Sequence, residues 1–503
     1  MKNMKKMKRL VALALSVVMV LAMSVFAFAR EAQTFTITAP ATAHQYEIYQ
    51  IFTGDLKEEN DTKTLSNVKW GANGSGTVGD AVGETVLNAL TAVNSKTDRE
   101  KLDVIETYAK LSNPVATISN EATYSAAAGY YLIKDKDGSV TGTDDFYTTY
   151  IVKVVGDVTI EPKVEKPSFE KKIKDINDTT GATDNWQDSA DYDIGDQVPF
   201  KLEGTVASNY DAYKHYYFAF HDVEENGLAF NERSVHVYVD DTEITGSNVY
   251  RVEKNTADKC TFEVIFDDLK EVKDEKGKGI VNAGSKIRVE YTSELTAQAN
   301  LGSHGNVNKA KLEFSNNPNS DQVGKPEKPG ETPWDNVIVF TYKVVVNKVD
   351  QDGKALKGAK FTLKKKIKGR DPVEVAVVET NEGRTFTFNG LDDGEYILEE
   401  TTTPEGYNTI SPITFKVNAD HTLTWDGTNR DDVLNTLTRN KVSGEITLTP
   451  DKAAGSLTTN VVNKKGSSLP STGGIGTTIF YVVGAILMVG AAVLLITKRR
   501  AEN

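Results

Sequence analysis

Tyr342-Lys-Val-Val-Val-Asn-Lys-Val-Asp350 is the stretch whose reading decides the fold class. Side chains of an extended strand alternate between two faces, so Val344, Val346 and Lys348 share one side. The β-branched content favours a strand over a helix. Similar runs recur outward from it: Val337–Phe340, Ile287–Tyr291, Phe262–Phe266, Val235–Val239 and Thr34–Thr38 before it, Thr385–Phe388 after it. Short period-two runs between turn clusters predict a mainly β chain of tandem immunoglobulin-like sandwiches. One stretch departs from this pattern. Between Asp80 and Leu111, Val82, Val86, Leu90 and Val93, then Leu102, Ile105, Tyr108 and Leu111, recur at helical spacing. They predict one or two helices on the first domain.

The 503 residues suit about three domains at roughly 100–200 residues each. Proline and charge cluster at Glu161-Pro-Lys-Val-Glu-Lys-Pro167 and from Asn316 to Pro333, which reads as two extended linkers. The expected bodies are therefore 30–163, 164–325 and 335–466, with a short tether at Gly466–Ser468. A formal charge of −13 gives a nucleic-acid partner no electrostatic footprint. One cysteine, Cys260, excludes an internal disulfide scaffold. His215, His221 and His236 read as strand-surface histidines, and neither a metal nor a cofactor is expected. Asp55–Asp61 and Asp267–Asp274 lack the spacing of a calcium loop. Gly71–Gly79 lacks the Lys-Ser/Thr end of a phosphate loop. With no visible Ser-His-Asp arrangement, the chain does not read as an enzyme.

The two ends suggest where the chain resides. Residues 1–29 have a basic start, an apolar middle from Leu10 to Phe28 and an Ala27-Phe-Ala29 exit, the three parts of a secretory signal peptide. At the other end, residues 469–503 hold Leu469-Pro470-Ser471-Thr472-Gly473, an apolar span over 475–497 and Lys498-Arg-Arg500. About twenty apolar residues can cross a bilayer, and the basic cluster would stay cytoplasmic. This ordered triple resembles the wall-sorting signal of Gram-positive surface proteins. That resemblance implies that a sortase cysteine attacks the Thr472 carbonyl, releases Gly473 onward and passes Thr472 to an amine. Removing both ends sheds five basic residues in front and three basic residues plus Glu502 behind, so the remainder is more acidic still.

Further segments carry a wider resemblance: Tyr46–Asp55, Glu161-Pro-Lys163, Lys171, His221-Asp222, Asn308–Pro318, Asn347–Asp350 and Tyr396–Tyr407. In this order, ahead of the sorting signal, they resemble a three-domain major (backbone) pilin of Gram-positive bacteria with Cna-B-like domains. The resemblance implies a wall-anchored surface fimbria built of head-to-tail copies. Its partners would be sortases of class C and housekeeping type, the peptidoglycan precursor, minor pilins and host surface ligands. Lys163 matches the lysine of the family's Tyr-Pro-Lys-like motif, with Glu161 in place of the tyrosine and Lys166 as a rival three residues on. A monomeric wall-anchored adhesin shares every feature except the need for Lys163.

The resemblance also implies self-made Lys–Asn isopeptide bonds, each promoted by a buried carboxyl. Burial lowers a lysine's pKa and raises a carboxyl's, giving a nucleophile and a proton donor. In the third domain Lys348 faces inward, Tyr396, Leu398 and Glu400 share a face, and so do Leu457, Thr459, Val461 and Asn463. The expected set is Lys348, Glu400 and Asn463. In the second, Phe169, Lys171 and Ile173 share a face, favouring Lys171 over Lys172, and Asp222 follows the aromatic run Tyr216–Phe220. Asn308 and Asn316 have the same parity, so alternation does not choose between them; Asn308 is favoured because Asn316 opens a turn. The opening strand Thr34–Thr38 has no lysine, and no crosslink is expected in the first domain.

Overall fold

Alternating β-branched and aromatic residues become sheets that bury one face of most strands, and the buried faces pair into layers. The computed structural model describes residues 33–501 apart from 60–61, 94, 97, 141–145, 162–165, 246–248, 376–377, 445 and 467–474. Among the described residues the fold is predominantly β, with α-helices confined to the first body and the C-terminal tail.

In the first body the long strand Tyr46–Glu59 pairs antiparallel with Thr62–Trp70, Ala116–Ile118 and Gly129–Asp135, and Thr149–Val154 extends the sheet. A smaller sheet sets Thr34–Thr38 between Thr123–Ala127 and Val158–Thr159. The helical periodicity yields two helices, Glu84–Ala92 and Asp98–Glu106. Their Leu90, Leu102 and Ile105 join Tyr49, Phe52 and Leu132 in one core.

The second body is a sandwich. One sheet runs Thr242–Glu243, Leu228–Val239, Lys286–Leu295, Gln197–Thr205, Ser168–Ile173 in spatial order. The facing sheet runs Ser189–Asp191, Asp335–Phe340, Asn306–Phe314, Phe218–Glu224, Phe262–Phe266, Arg251–Lys254. The third body faces a sheet of Val378–Asn381, Thr385–Leu391, Tyr342–Asp350, Ser456–Asn463 and Thr449–Asp451 against one of Val373–Glu374, Lys360–Lys365, Gly394–Thr402, Ile413–His421 and Leu434–Ser443.

Asp335–Phe340 departs from the sequence reading, which opens the third domain at residue 335. The strand is hydrogen-bonded into the second body's sheet, between Ser189–Asp191 and Asn306–Phe314. Its apolar run Val337-Ile-Val-Phe340 is buried on both faces: Val337 and Val339 join the second core, Ile338 and Phe340 the third. The two bodies therefore share a strand, and the proline-rich stretch before it is an excursion within the second body. Polar groups close the same seam. Lys365, 3% exposed, reaches Asp193 at 2.5 Å and Asp392 at 2.6 Å. Burial would lower its pKa, but Asp392 and Asp193 outweigh that and raise it, so the ammonium stays charged.

The C-terminal helix spans Ile475–Ala501. Within it Ile479–Lys498, of mean hydropathy 2.8, is long and apolar enough to cross a membrane.

Candidate functional site

Two buried Lys–carboxyl–Asn clusters stand out, one in each sandwich. In the second body Lys171 lies on the strand Ser168–Ile173 and points into the core, because Phe169 and Ile173 share its parity. Its Nζ meets Asp222 Oδ2 at 2.5 Å and the Tyr291 hydroxyl at 2.7 Å. Tyr291 donates to Asp222 Oδ2 at 2.8 Å and accepts from Asn308 Nδ2 at 2.9 Å. Asn308 Nδ2 also lies 3.4 Å from Glu224 Oε1, which accepts a short bond from Ser293 Oγ. Lys171, Asp222 and Asn308 are all 0% exposed. Aromatic rings wall the site, with Phe200 and Tyr291 stacked at 5.3 Å.

Burial dominates the electrostatics of this cluster. It lowers the Lys171 pKa further than Asp222 restores it. It raises Asp222 against the pull of Lys171. Glu224 is pushed up to about 8 by burial, and the Asp222 charge adds to the shift. These directions favour a neutral amine beside a protonated acid, the pair that amide exchange requires. Lys172 faces the other way and pairs with Asp188 at 2.6 Å. Asn316 is also buried but is remote from this set, its backbone carbonyl accepting from the Tyr147 N–H at 3.0 Å.

The third body assembles the same residue types differently. Lys348 and Asn463 lie on adjacent parallel strands, in a register that pairs Lys348 with Val461 and Asp350 with Asn463. Glu400 comes from the facing sheet and holds the Asn463 amide through both carboxylate oxygens, at 2.9 and 3.0 Å. Lys348 Nζ is turned to backbone carbonyls, Val461 O at 2.9 Å and Val349 O at 3.2 Å. Burial pulls its pKa down to about 8, with Glu400 and Asp350 opposing. Glu399 faces outward and pairs with Lys364 at 2.8 Å. In both clusters the asparagine Oδ1 is buried without a hydrogen-bond partner, leaving the amide carbonyl open to a proton donor.

The sequence reading missed Tyr291 and Glu224. A signal for each existed: Tyr291 shares parity with Ile287 and Val289, and Glu224 with Asp222. It also misplaced His221. That imidazole is 0% exposed because the segment from Asn255 to Cys260 folds over it; it is not a surface histidine. Lys163 and the motif Leu469, Pro470, Ser471, Thr472 and Gly473 lie outside the described residues, as does the expected signal peptide. The rival Lys166 sits with its Nζ 5.6 Å from the Phe146 ring centroid. Among the described residues of the first body, no lysine is buried.

Residues 461–503 match the family model of the LPXTG cell wall anchor motif. This tail is a cell-wall anchor. The anchor follows directly on a domain whose residues 342–431 match the SpaA prealbumin-like fold domain. Among curated relatives, the trypsin-resistant surface T6 protein of Streptococcus pyogenes serotype M6 is 25% identical over 263 residues, covering 42% of this chain and 48% of that protein. The matched region thus spans about half the length of that relative. Among solved structures, the T6 backbone pilin of serotype M6 S. pyogenes is similar at 17% identity and TM-score 0.47, covering 87% of this chain and 100% of that one. The major pilin SpaD of Corynebacterium diphtheriae is similar at 18% identity and TM-score 0.45, covering 86% and 98%.

Proposed function

We propose that this chain is a structural subunit of a covalently polymerised surface pilus, anchored to the wall through its C-terminus and braced by two intramolecular isopeptide bonds. The observation that carries the reading is the pair of buried Lys–carboxyl–Asn clusters in successive sandwiches ahead of a cell-wall anchor.

The bracing bonds would be Lys171–Asn308 and Lys348–Asn463. Neutral Nζ attacks the asparagine Cγ, the new C–N bond forms, and the Cγ–Nδ2 bond breaks. The proton shed by Nζ ends on the departing nitrogen, so one amine and one amide give a substituted amide and ammonia. Asp222 and Glu400 act as the proton shuttles. Burial at each site limits competition by water for the carbonyl and shifts the amine toward its neutral form.

Polymerisation would use a different acyl group. A sortase thiolate attacks the Thr472 carbonyl, the Thr472–Gly473 bond breaks, and a thioester holds the chain. The Lys163 amine of the next subunit then displaces the thiol and forms an intermolecular amide; the wall precursor's amine ends the chain. Minor pilins and host ligands would join the finished polymer.

Denaturing gels of wall extracts test the shaft. Wild type should give a high-molecular-weight ladder that survives boiling. Lys163→Ala should lose the ladder but keep anchored single subunits, Lys166→Ala should keep it, and Thr472→Ala should lose both. A full ladder in the Lys163 variant would transfer the role to another lysine. No ladder in wild type would favour a monomeric adhesin. Intact mass tests the braces independently: the purified chain should be lighter than its sequence by two molecules of ammonia, and an unmodified mass would refute both bonds.

A further inference from the structure

On the outer face of the second body, behind the Lys171 cluster, lies a second convergence of polar side chains. His221 and Asp222 are consecutive on one strand, so as Asp222 points into the core His221 points away from it. The segment Asn255–Cys260 covers the imidazole, and Glu263 on the neighbouring strand lies directly across from it. Three acceptors crowd His221 Nδ1: Asp258 Oδ2 at 3.0 Å, Glu263 Oε1 at 3.4 Å and Cys260 Sγ at 3.7 Å. Cys260 Sγ is itself 3.3 Å from Asp258 Oδ2. One ring nitrogen carries at most one proton, and that proton cannot serve two carboxylates and a sulfur.

A tetrahedral metal can. With metal–sulfur near 2.3 Å and metal–nitrogen or –oxygen near 2.0–2.2 Å, the edges of such a tetrahedron are about 3.3–3.7 Å. The four donor atoms already lie within 4.8 Å of one another, and the contacts of 3.0–3.7 Å among them are close to those edges. We propose that His221, Asp258, Cys260 and Glu263 form a binding site for one zinc ion.

The surroundings are those of a metal site. Asp258 Oδ1 is tied back by the Thr256 hydroxyl at 2.5 Å and the Cys260 N–H at 3.2 Å, leaving Oδ2 to face His221. Glu313 Oε2 stands 3.1 Å from His221 Nε2, in position to orient the ring from behind, yet both atoms lack an aligned hydrogen bond. Lys325 at 2.7 Å and Lys311 at 3.3 Å neutralise Glu313 from outside. Zinc would bind the neutral imidazole and the thiolate, so binding would release protons. The mixed nitrogen, oxygen and thiolate set suits zinc better than calcium or magnesium, which take oxygen alone.

The test is a titration of the tag-free full chain, purified in detergent and stripped with chelator, with Zn²⁺ and with Co²⁺ as a spectroscopic probe. One equivalent should bind, and Co²⁺ should give tetrahedral d–d bands with a thiolate-to-cobalt charge-transfer band. Zinc should protect Cys260 from alkylation in the folded state, and affinity should rise with pH. Cys260→Ser should remove the charge-transfer band and weaken binding at least tenfold. Glu313→Gln should weaken it by about 10- to 100-fold while keeping the band. Absence of stoichiometric binding by wild type, or binding that Cys260→Ser leaves unchanged, would overturn the site. Neither result bears on the pilus reading, whose readouts are ladders and ammonia loss.

Discussion

The two sandwiches bury the same three kinds of side chain and arrange them across different boundaries. In the second body Lys171 comes from one sheet, and Asp222 and Asn308 from the facing one, so a Lys171–Asn308 bond would staple sheet to sheet. In the third, Lys348 and Asn463 are neighbours in one sheet and only Glu400 crosses the core. Contact differs as well. Lys171 touches its acid directly and shares Tyr291 with the asparagine, whereas Lys348 rests on backbone carbonyls while its acid grips the amide. Residue type thus sets the chemistry these clusters can perform, and topology sets what a bond there would hold together.

The contrast can be broken most forcefully at Asp222. Asp222→Ala should abolish the second-body bond and leave the buried Lys171 amine without its carboxyl partner, a loss of about 1–3 kcal/mol on top of the missing crosslink. Intact mass and a thermal melt would register both effects; a melt no lower than that of the third-body variant would refute the asymmetry. Glu400→Ala should cost less, about 2–4 kcal/mol on the analogy of a disulfide, because Lys348 keeps its backbone partners. That domain should stay folded but uncrosslinked. Formation of the Lys348–Asn463 bond at the normal rate would remove Glu400 from the mechanism.

Tyr291→Phe sharpens the comparison more finely. It deletes the hydroxyl that joins Lys171, Asp222 and Asn308 and spares the packing against Phe200. Second-body crosslinking should slow severalfold in a timed mass assay, third-body crosslinking should not change, and stability should fall by about 1 kcal/mol. Equal rates would make Tyr291 a packing residue only.

The smallest effect expected is a pH dependence. The attacking amine must be neutral, and Lys348 has its pKa lowered to about 8. Crosslinking of the third body, followed by ammonia release after dilution of freshly synthesised chain from denaturant, should therefore accelerate up to about pH 8 and then level. At pH 7 roughly a tenth of the amine is neutral by the usual titration relation. A rate that falls across this range would remove neutralisation of Lys348 from the controlling step.

Much of this arrangement is legible in alternation, since parity alone separates Lys171 from Lys172 and Glu400 from Glu399, and the rejected partners bind Asp188 and Lys364 outside the core. Parity fails where two candidates share it. Asn308 and Asn316 share parity, but the strand ends at Phe314, so only Asn308 is carried to Tyr291, a placement that only pairing between sheets fixes. It fails again at Asp335–Phe340, whose uninterrupted apolar run reads as one buried strand without saying that two cores claim it. His221 escaped for a further reason: an outward-facing residue is buried by a loop, and loops leave no periodic trace.

The parallel register of Tyr342–Asp350 with Ser456–Asn463 has a mechanical consequence. The third body's chain enters at Tyr342, one residue before the Lys343–Ser456 pair, and leaves at Asn463, beside Asp350, so its two ends emerge at opposite ends of one strand pair. Tension along the chain would drag these strands past each other lengthwise, loading their hydrogen bonds together in shear instead of unzipping them one at a time. A covalent link from Lys348 to Asn463 would route the force across that pair directly. The residues between them, about 380 Å of chain if drawn out at 3.3 Å each, would never come under strain.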